Sequence, residues 1–96
     1  MHVISKKPLR EFWEEHADSE EVLQAWYRAM EKEVYENWAQ LRNTFQAVDK
    51  VGKKIVFNIG GNKYRPITVI HFDRKRVFVR HVLTHKEYEE GRWKNG

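Results

Sequence analysis

Two side chains near the end of the chain can move protons, His85 and Tyr88. They close a stretch, residues 55–88, in which Lys and Arg outnumber Asp and Glu. Fixed positive charge beside proton-moving groups is what cleavage of an RNA phosphodiester needs. The 2′-hydroxyl attacks the adjacent phosphorus in line, the 5′-oxygen leaves, and a cyclic phosphate remains. The catalyst takes one proton, gives another, and holds a phosphorane with extra negative charge. Cations aimed at that charge are usually the largest single contribution. This chemistry needs no metal. His71, Asp73 and His81 are scattered, with no second carboxylate nearby, and predict no metal site. No cofactor is expected either: Gly60-Gly61 has no Walker-type pattern around it.

The elements that must carry these groups are legible in outline. His2 to Ser5 predicts a short strand. Pro8 fits the first turn of a helix, where its missing N–H costs nothing. Leu9, Phe12 and Trp13 then form one apolar stripe. Asp18 and Glu21 have the spacing of a capping box opening a second helix, whose apolar face holds Val22, Trp26, Ala29 and Met30 beside Ala25. That helix fades near Val34 to Asn37. Trp38, Leu41 and Phe45 predict a further short helix or an ordered loop over the core. From Lys53 the period changes. Lys54–Ile59 reads as a strand, Gly60-Gly61 as a tight turn able to supply positive φ angles, and Lys63–Phe72 as the return strand. Pro66 argues for an edge position, or for a side of the ladder where no donor is needed. Asp73 to Arg76 is a charged turn and Val77–Leu83 the next strand. Thr84 and Glu87 then form a capping box, with Leu83 and Tyr88 as its hydrophobic staple. His85 falls in the first turn, where the helix dipole favours neutral imidazole, the form a general base needs. The fold class expected is α+β: N-terminal helices packed on one face of a small antiparallel sheet.

Ninety-six residues predict a single domain spanning 1–96. With no cysteine there is no disulfide framework and no thiolate zinc site. No apolar run approaches the roughly 20 residues of a membrane span, and the start lacks the features of a signal peptide, so a cytoplasmic, membrane-free protein is expected. The net charge of +4 conceals a split. Residues 1–49 carry 6 Lys/Arg and 10 Asp/Glu, whereas residues 50–96 carry 12 and 4. A basic half of this kind suits a polyanionic partner.

The run Phe57-Asn58-Ile59-Gly60-Gly61-Asn62-Lys63-Tyr64-Arg65, then Arg80, then Thr84-His85-Lys86-Glu87-Tyr88, resembles the HigB toxins of type II toxin–antitoxin systems. The likeness extends over about residues 34–90, including Trp38 and Ala47-Val48-Asp49. It implies the fold of the wider RelE/ParE toxin superfamily. It also implies cleavage of mRNA, often on the translating ribosome, and a HigA-type helix-turn-helix antitoxin that represses the operon with its toxin. The positions that match are Asn58, Gly60, Gly61, Asn62, Tyr64, Arg65, Thr84, His85 and Tyr88. Glu89 stands where many relatives have Asp.

On this footing Arg65 and Arg80 are expected to clamp the scissile phosphate, since Arg suits bidentate oxygen contact. If Arg74-Lys75 is a two-residue turn, Arg65 faces Thr84 and Arg80 faces Val69. Both arginines then share one sheet face, and a loop one residue longer separates them. His85 is the candidate general base or acid, and Tyr88 a stacking platform or proton donor. Lys53, Lys54, Lys63 and Lys86 are expected to bind flanking phosphates in a salt-dependent way. Asn62 joins them as an RNA contact while shaping the turn with Gly60 and Gly61. Two other functions compete: a non-catalytic RNA- or ribosome-binding module, and a toxin that inhibits another enzyme such as a topoisomerase.

Overall fold

Pro8 does sit in the opening turn of the first long helix, and the elements follow from there. A computed structural model describes residues 1–95. The chain runs β1 (His2–Ile4), α1 (Lys7–Glu15), a 3-10 turn (Ala17–Ser19), α2 (Glu20–Lys32) and α3 (Trp38–Thr44). It continues through β2 (Val48–Val51), β3 (Lys54–Phe57), β4 (Tyr64–His71), β5 (Arg76–Thr84), α4 (His85–Glu90) and a final 3-10 turn (Arg92–Asn95). The architecture is α+β, as the sequence predicts.

The sheet is larger than the expected meander. Five strands lie in the order β1-β5-β4-β3-β2. β1 joins β5 in parallel, Val3 opposite Val77, and the other pairs are antiparallel. β2 escaped notice because only Val48 of its four residues is buried, which leaves almost no apolar period. It folds back on β3 through Gly52-Lys53, with Gly52 at φ +60°. On β3, Ile55 and Phe57 point to one face and Val56 to the other, as alternation demands. The first face meets Leu9, Leu23, Trp26, Met30 and Leu41 from the helices. Four of these side chains are fully buried, at about 1.5–3 kcal/mol apiece for a Leu-sized group. The second face carries a small cluster of Val56, Ile67 and Trp93, with Leu83 and Tyr88 against it. The candidate chemistry lies on that second face.

Two local expectations need correction and one is narrowed. Asp18 does not cap α2: Ser19 occupies the N-cap and makes no side-chain cap bond. The Asp18 carboxylate instead accepts the Tyr64 hydroxyl at 2.5 Å, joining the helix layer to β4. Of the two positions open to Pro66 the edge fails, because β4 is flanked by β5 and β3, and the second holds. The ladder to β3 ends at Ile67, one residue short of Pro66, so no donor is wanted there from that side. Third, the β4–β5 connection is a four-residue loop, Phe72 to Lys75, with Lys75 at φ +58°.

Candidate functional site

That loop sets which arginine faces what. His71 pairs with Arg76, and the register holds as far as Thr68↔Val79. It then slips: Ile67 pairs with His81, leaving Arg80 as the unpaired residue of a β-bulge. Arg65 pairs with Leu83, not Thr84, and Arg80 does not face Val69. The two guanidiniums therefore do not occupy the paired positions that a two-residue turn would have produced.

Arg65 itself is drawn inward. It alternates with Ile67 on β4 and is only 8 % exposed. Its Nε is buried with no hydrogen-bond partner. No Asp or Glu pairs with it among the described residues. A buried charge is normally paired, since an isolated one loses its hydration without compensation.

The neighbours it does have come from α4. Thr84 pairs with Tyr64, so β5 delivers the start of α4 beside Arg65. The capping box forms in full: Thr84 Oγ1 accepts the Glu87 N–H at 3.2 Å, and Glu87 Oε1 accepts the Thr84 N–H at 2.9 Å. The His85 N–H donates to the Lys63 carbonyl at 3.0 Å, tying the helix start to β4. His85 and Tyr88, three apart, then share one side of the helix. His85 Nδ1 lies 3.2 Å from Arg65 Nη2. Tyr88 lies under the guanidinium, its ring centre 4.4 Å from Arg65 Cζ. Arginine only donates, so Nδ1 carries the lone pair and Nε2 the proton. Nε2 is 3.6 Å from Glu89 Oε1, one helical turn on.

The sequence profile of the HigB toxin family, described as a RelE-like toxic component of a toxin–antitoxin system, matches residues 19–91. The chain belongs to the HigB toxin family. It is similar to "mRNA interferase HigB" of Escherichia coli O6:H1, with 32% identity over 94% of this chain and 90% of the relative. It is likewise similar to "mRNA interferase toxin HigB" of Escherichia coli K12, with 30% identity over 93% of this chain and 88% of the relative. "mRNA interferase HigB" of Shigella flexneri matches to the same extent. A toxin of a toxin–antitoxin system has an antitoxin as its partner.

In this HigB-family chain the remaining candidates are dispersed. Arg80 is exposed at the bulge. Next to it His81 is held below its usual value near 6.5, first by burial and then by the Lys54 and Arg80 charges. A cavity of about 230 Å³ opens beside it, lined by His81, Leu83, Glu87, Glu90, Arg92 and Trp93. Lys54 is half-buried and donates from Nζ to the Trp93 carbonyl at 2.8 Å. Lys53 is exposed in the β2–β3 turn. Lys54 precedes Ile55, whose partner Thr68 is three residues along β4 from Arg65, or roughly 10 Å at strand spacing. Lys63 and Lys86 are exposed; Lys86 is next in sequence to His85, and the Lys63 carbonyl accepts the His85 N–H. Asn62, at φ +74°, accepts a side-chain hydrogen bond from Asn58 and holds the turn. Gly60 is at φ +63°, where an L side chain is strained, and a Cβ there would sit 3.1 Å from the Tyr64 ring, which would have to give way.

Among the described residues no three His, Asp or Glu side chains gather as a metal-ligand set, and no helix is long and apolar enough to cross a membrane. Two site features were overlooked in the sequence. The i, i+4 spacing of His85 and Glu89 signalled their approach. The stacking of Trp93 on Tyr88 left no such mark.

Proposed function

We propose that this chain is the toxin of a type II toxin–antitoxin system and an endoribonuclease that cuts mRNA by metal-independent attack of the 2′-hydroxyl. One observation carries the reading: Arg65 is a buried cation with no carboxylate paired to it among the described residues, set between an imidazole and an aromatic ring. A phosphate oxygen is the partner that such a group lacks.

A phosphate held by Arg65 lies beside His85 Nδ1, because Nη2 already reaches that atom. As Arg65 turns its Nη2–H from Nδ1 to the phosphate oxygen, the Nδ1 lone pair is freed, and His85 takes the 2′-hydroxyl proton there as the new 2′-O–P bond forms. The imidazolium directs Nε2–H at Glu89, and two cations flank the phosphorane. The P–O5′ bond breaks, and the 5′-oxygen receives a proton, for which the Tyr88 hydroxyl is the candidate donor. The products are a 2′,3′-cyclic phosphate and a 5′-hydroxyl. Arg80 serves a flanking phosphate from the bulge, with Lys53, Lys54, Lys63, Lys86 and Asn62 along the strand's path. The substrate is mRNA on the translating ribosome, in the cytoplasm, and the antitoxin is of the HigA helix-turn-helix type.

Primer extension on cellular mRNA after brief induction tests this. Discrete new 5′ ends inside coding regions are expected. They should vanish in Arg65→Ala and His85→Ala, whose growth arrest is also relieved. Translation arrest with intact transcripts would replace this reading with the binding module. DNA damage signals with unaffected RNA would replace it with a topoisomerase inhibitor.

A further inference from the structure

α4 is six residues long and none of its residues is buried. Helices this short do not hold together in water unaided. The capping box secures its start, yet Tyr88 stands in its second half. Something else must hold that end. Gly91, at φ +77°, turns the chain back, and its N–H donates to the Tyr88 carbonyl at 3.1 Å. The return places Trp93 in the cluster with Val56 and Ile67, 4 % exposed. Its indole stacks on the Tyr88 ring, centroids 5.1 Å apart and planes 14° from parallel. Its Nε1–H donates to the Tyr88 carbonyl at 3.0 Å, and Lys54 Nζ donates to its own carbonyl at 2.8 Å. Trp93 thus grips Tyr88 by ring and by backbone, and Tyr88 carries the guanidinium of Arg65 at 4.4 Å. The family profile stops at residue 91, two residues short of this contact.

We propose that Trp93 is a positioning residue, holding Tyr88 and through it the Arg65 guanidinium where the scissile phosphate binds; this rests on the phosphodiester-cleaving reading above. An indole that merely filled the cluster could be replaced by any apolar group of fair size. A positioning ring could not.

Trp93→Leu and Trp93→Met keep the slot filled without an aromatic ring, and Trp93→Phe keeps the ring without the donor. Each is compared with the wild-type full chain, at temperatures where melting curves show it folded. Single-turnover cleavage of a short RNA should fall roughly 10- to 100-fold in the ringless variants, the scale set by slight misplacement of a reacting group. Affinity for the same RNA carrying a 2′-deoxy sugar at the cut should stay within about threefold, so that the loss appears in the chemical step. Trp93→Phe should recover most of the rate. Equal rates in Leu, Met and Phe variants overturn the proposal, as does a ringless variant that is folded and as fast as wild type. A second readout needs no activity. The Arg65 Nε–H and His85 ring signals in ¹⁵N spectra should move in whichever of Trp93→Leu and Trp93→Met folds and return in Trp93→Phe. Unmoved signals refute the role of Trp93 whether or not RNA is cut. Signals that move in those variants while the wild type itself cuts no RNA refute only the activity.

Discussion

Replacing Arg65 by Met should separate stability from activity. The guanidinium is buried, its Nε lacks a partner, and no carboxylate pairs with it among the described residues. An unsatisfied buried donor costs about 1–3 kcal/mol, and Met removes it. Met forfeits the contact with His85, about 1 kcal/mol net. It also forfeits the attraction to the Tyr88 ring, about 0.5–2 kcal/mol. A sulfur–aromatic contact returns about 0.3–1.5 kcal/mol of that. These terms nearly cancel. At about 4–8 °C per kcal/mol for a domain of this size, Arg65→Met should melt within about 8 °C of the wild type. An arginine serving a structural ion pair would behave otherwise, since its loss strands a buried carboxylate at about 3–5 kcal/mol. Activity should respond quite differently. One aimed donor is worth about 2.7–4 kcal/mol in the transition state, so single-turnover cleavage should fall about 10²- to 10³-fold. The assays are circular-dichroism melting and single-turnover cleavage of a short RNA. A fall in melting temperature beyond about 15 °C, on the same scale, would show that Arg65 has a structural partner. A cleavage rate within about tenfold of wild type would show that it does not hold the reacting phosphate.

Other consequences can be measured separately. His85→Gln should lose cleavage by about 10²-fold or more, the usual worth of a proton-transfer group. Its melting temperature should barely change, because the side chain is 54% exposed; loss of fold instead of rate would remove His85 from the chemistry. Neutralising Lys53, Lys63 and Lys86 one at a time should lower the salt dependence of RNA binding by about one unit of slope for each true phosphate contact. Any lysine whose removal leaves the slope unchanged is no contact. The Asp18–Tyr64 bond predicts an acid effect. The Tyr64 hydroxyl first of all, then lesser backbone and Lys63 and His16 contributions against the pull of burial, hold the Asp18 carboxyl below 3.8. The folded state therefore binds fewer protons there than the unfolded one. Its stabilising effect is complete above that ordinary value and is lost as pH falls through the depressed one. His81, lowered from 6.5, adds a loss of the same sign that begins at higher pH. In urea titrations at decreasing pH, Asp18→Asn should start less stable and lose less. A parallel loss in both proteins would disprove the assignment.

The sequence alone determined whatever depends on neighbours within a turn or so. Pro8 opened α1, Thr84 and Glu87 capped α4, and Gly60-Gly61 supplied left-handed backbone where the chain reverses. The apolar stripes of α1 and α2 marked the faces that now line the core. Each of these rests on spacing of at most four residues, which steric and hydrogen-bonding rules reach. Strand register is another matter. It hung on whether the loop after β4 had two residues or four, and then on a bulge at Arg80, and both depend on packing along whole strands. The same holds for Asp18, which has the spacing of a cap but meets Tyr64, 46 residues away. The parallel pairing of β1 with β5 joins residues more than seventy positions apart. Above all, nothing in a string of letters distinguishes a buried arginine from an exposed one. Only the folded sheet, closed over by α4 and Trp93, withdrew Arg65 from water and left Arg80 in it, because burial is decided by what the distant chain lays on top.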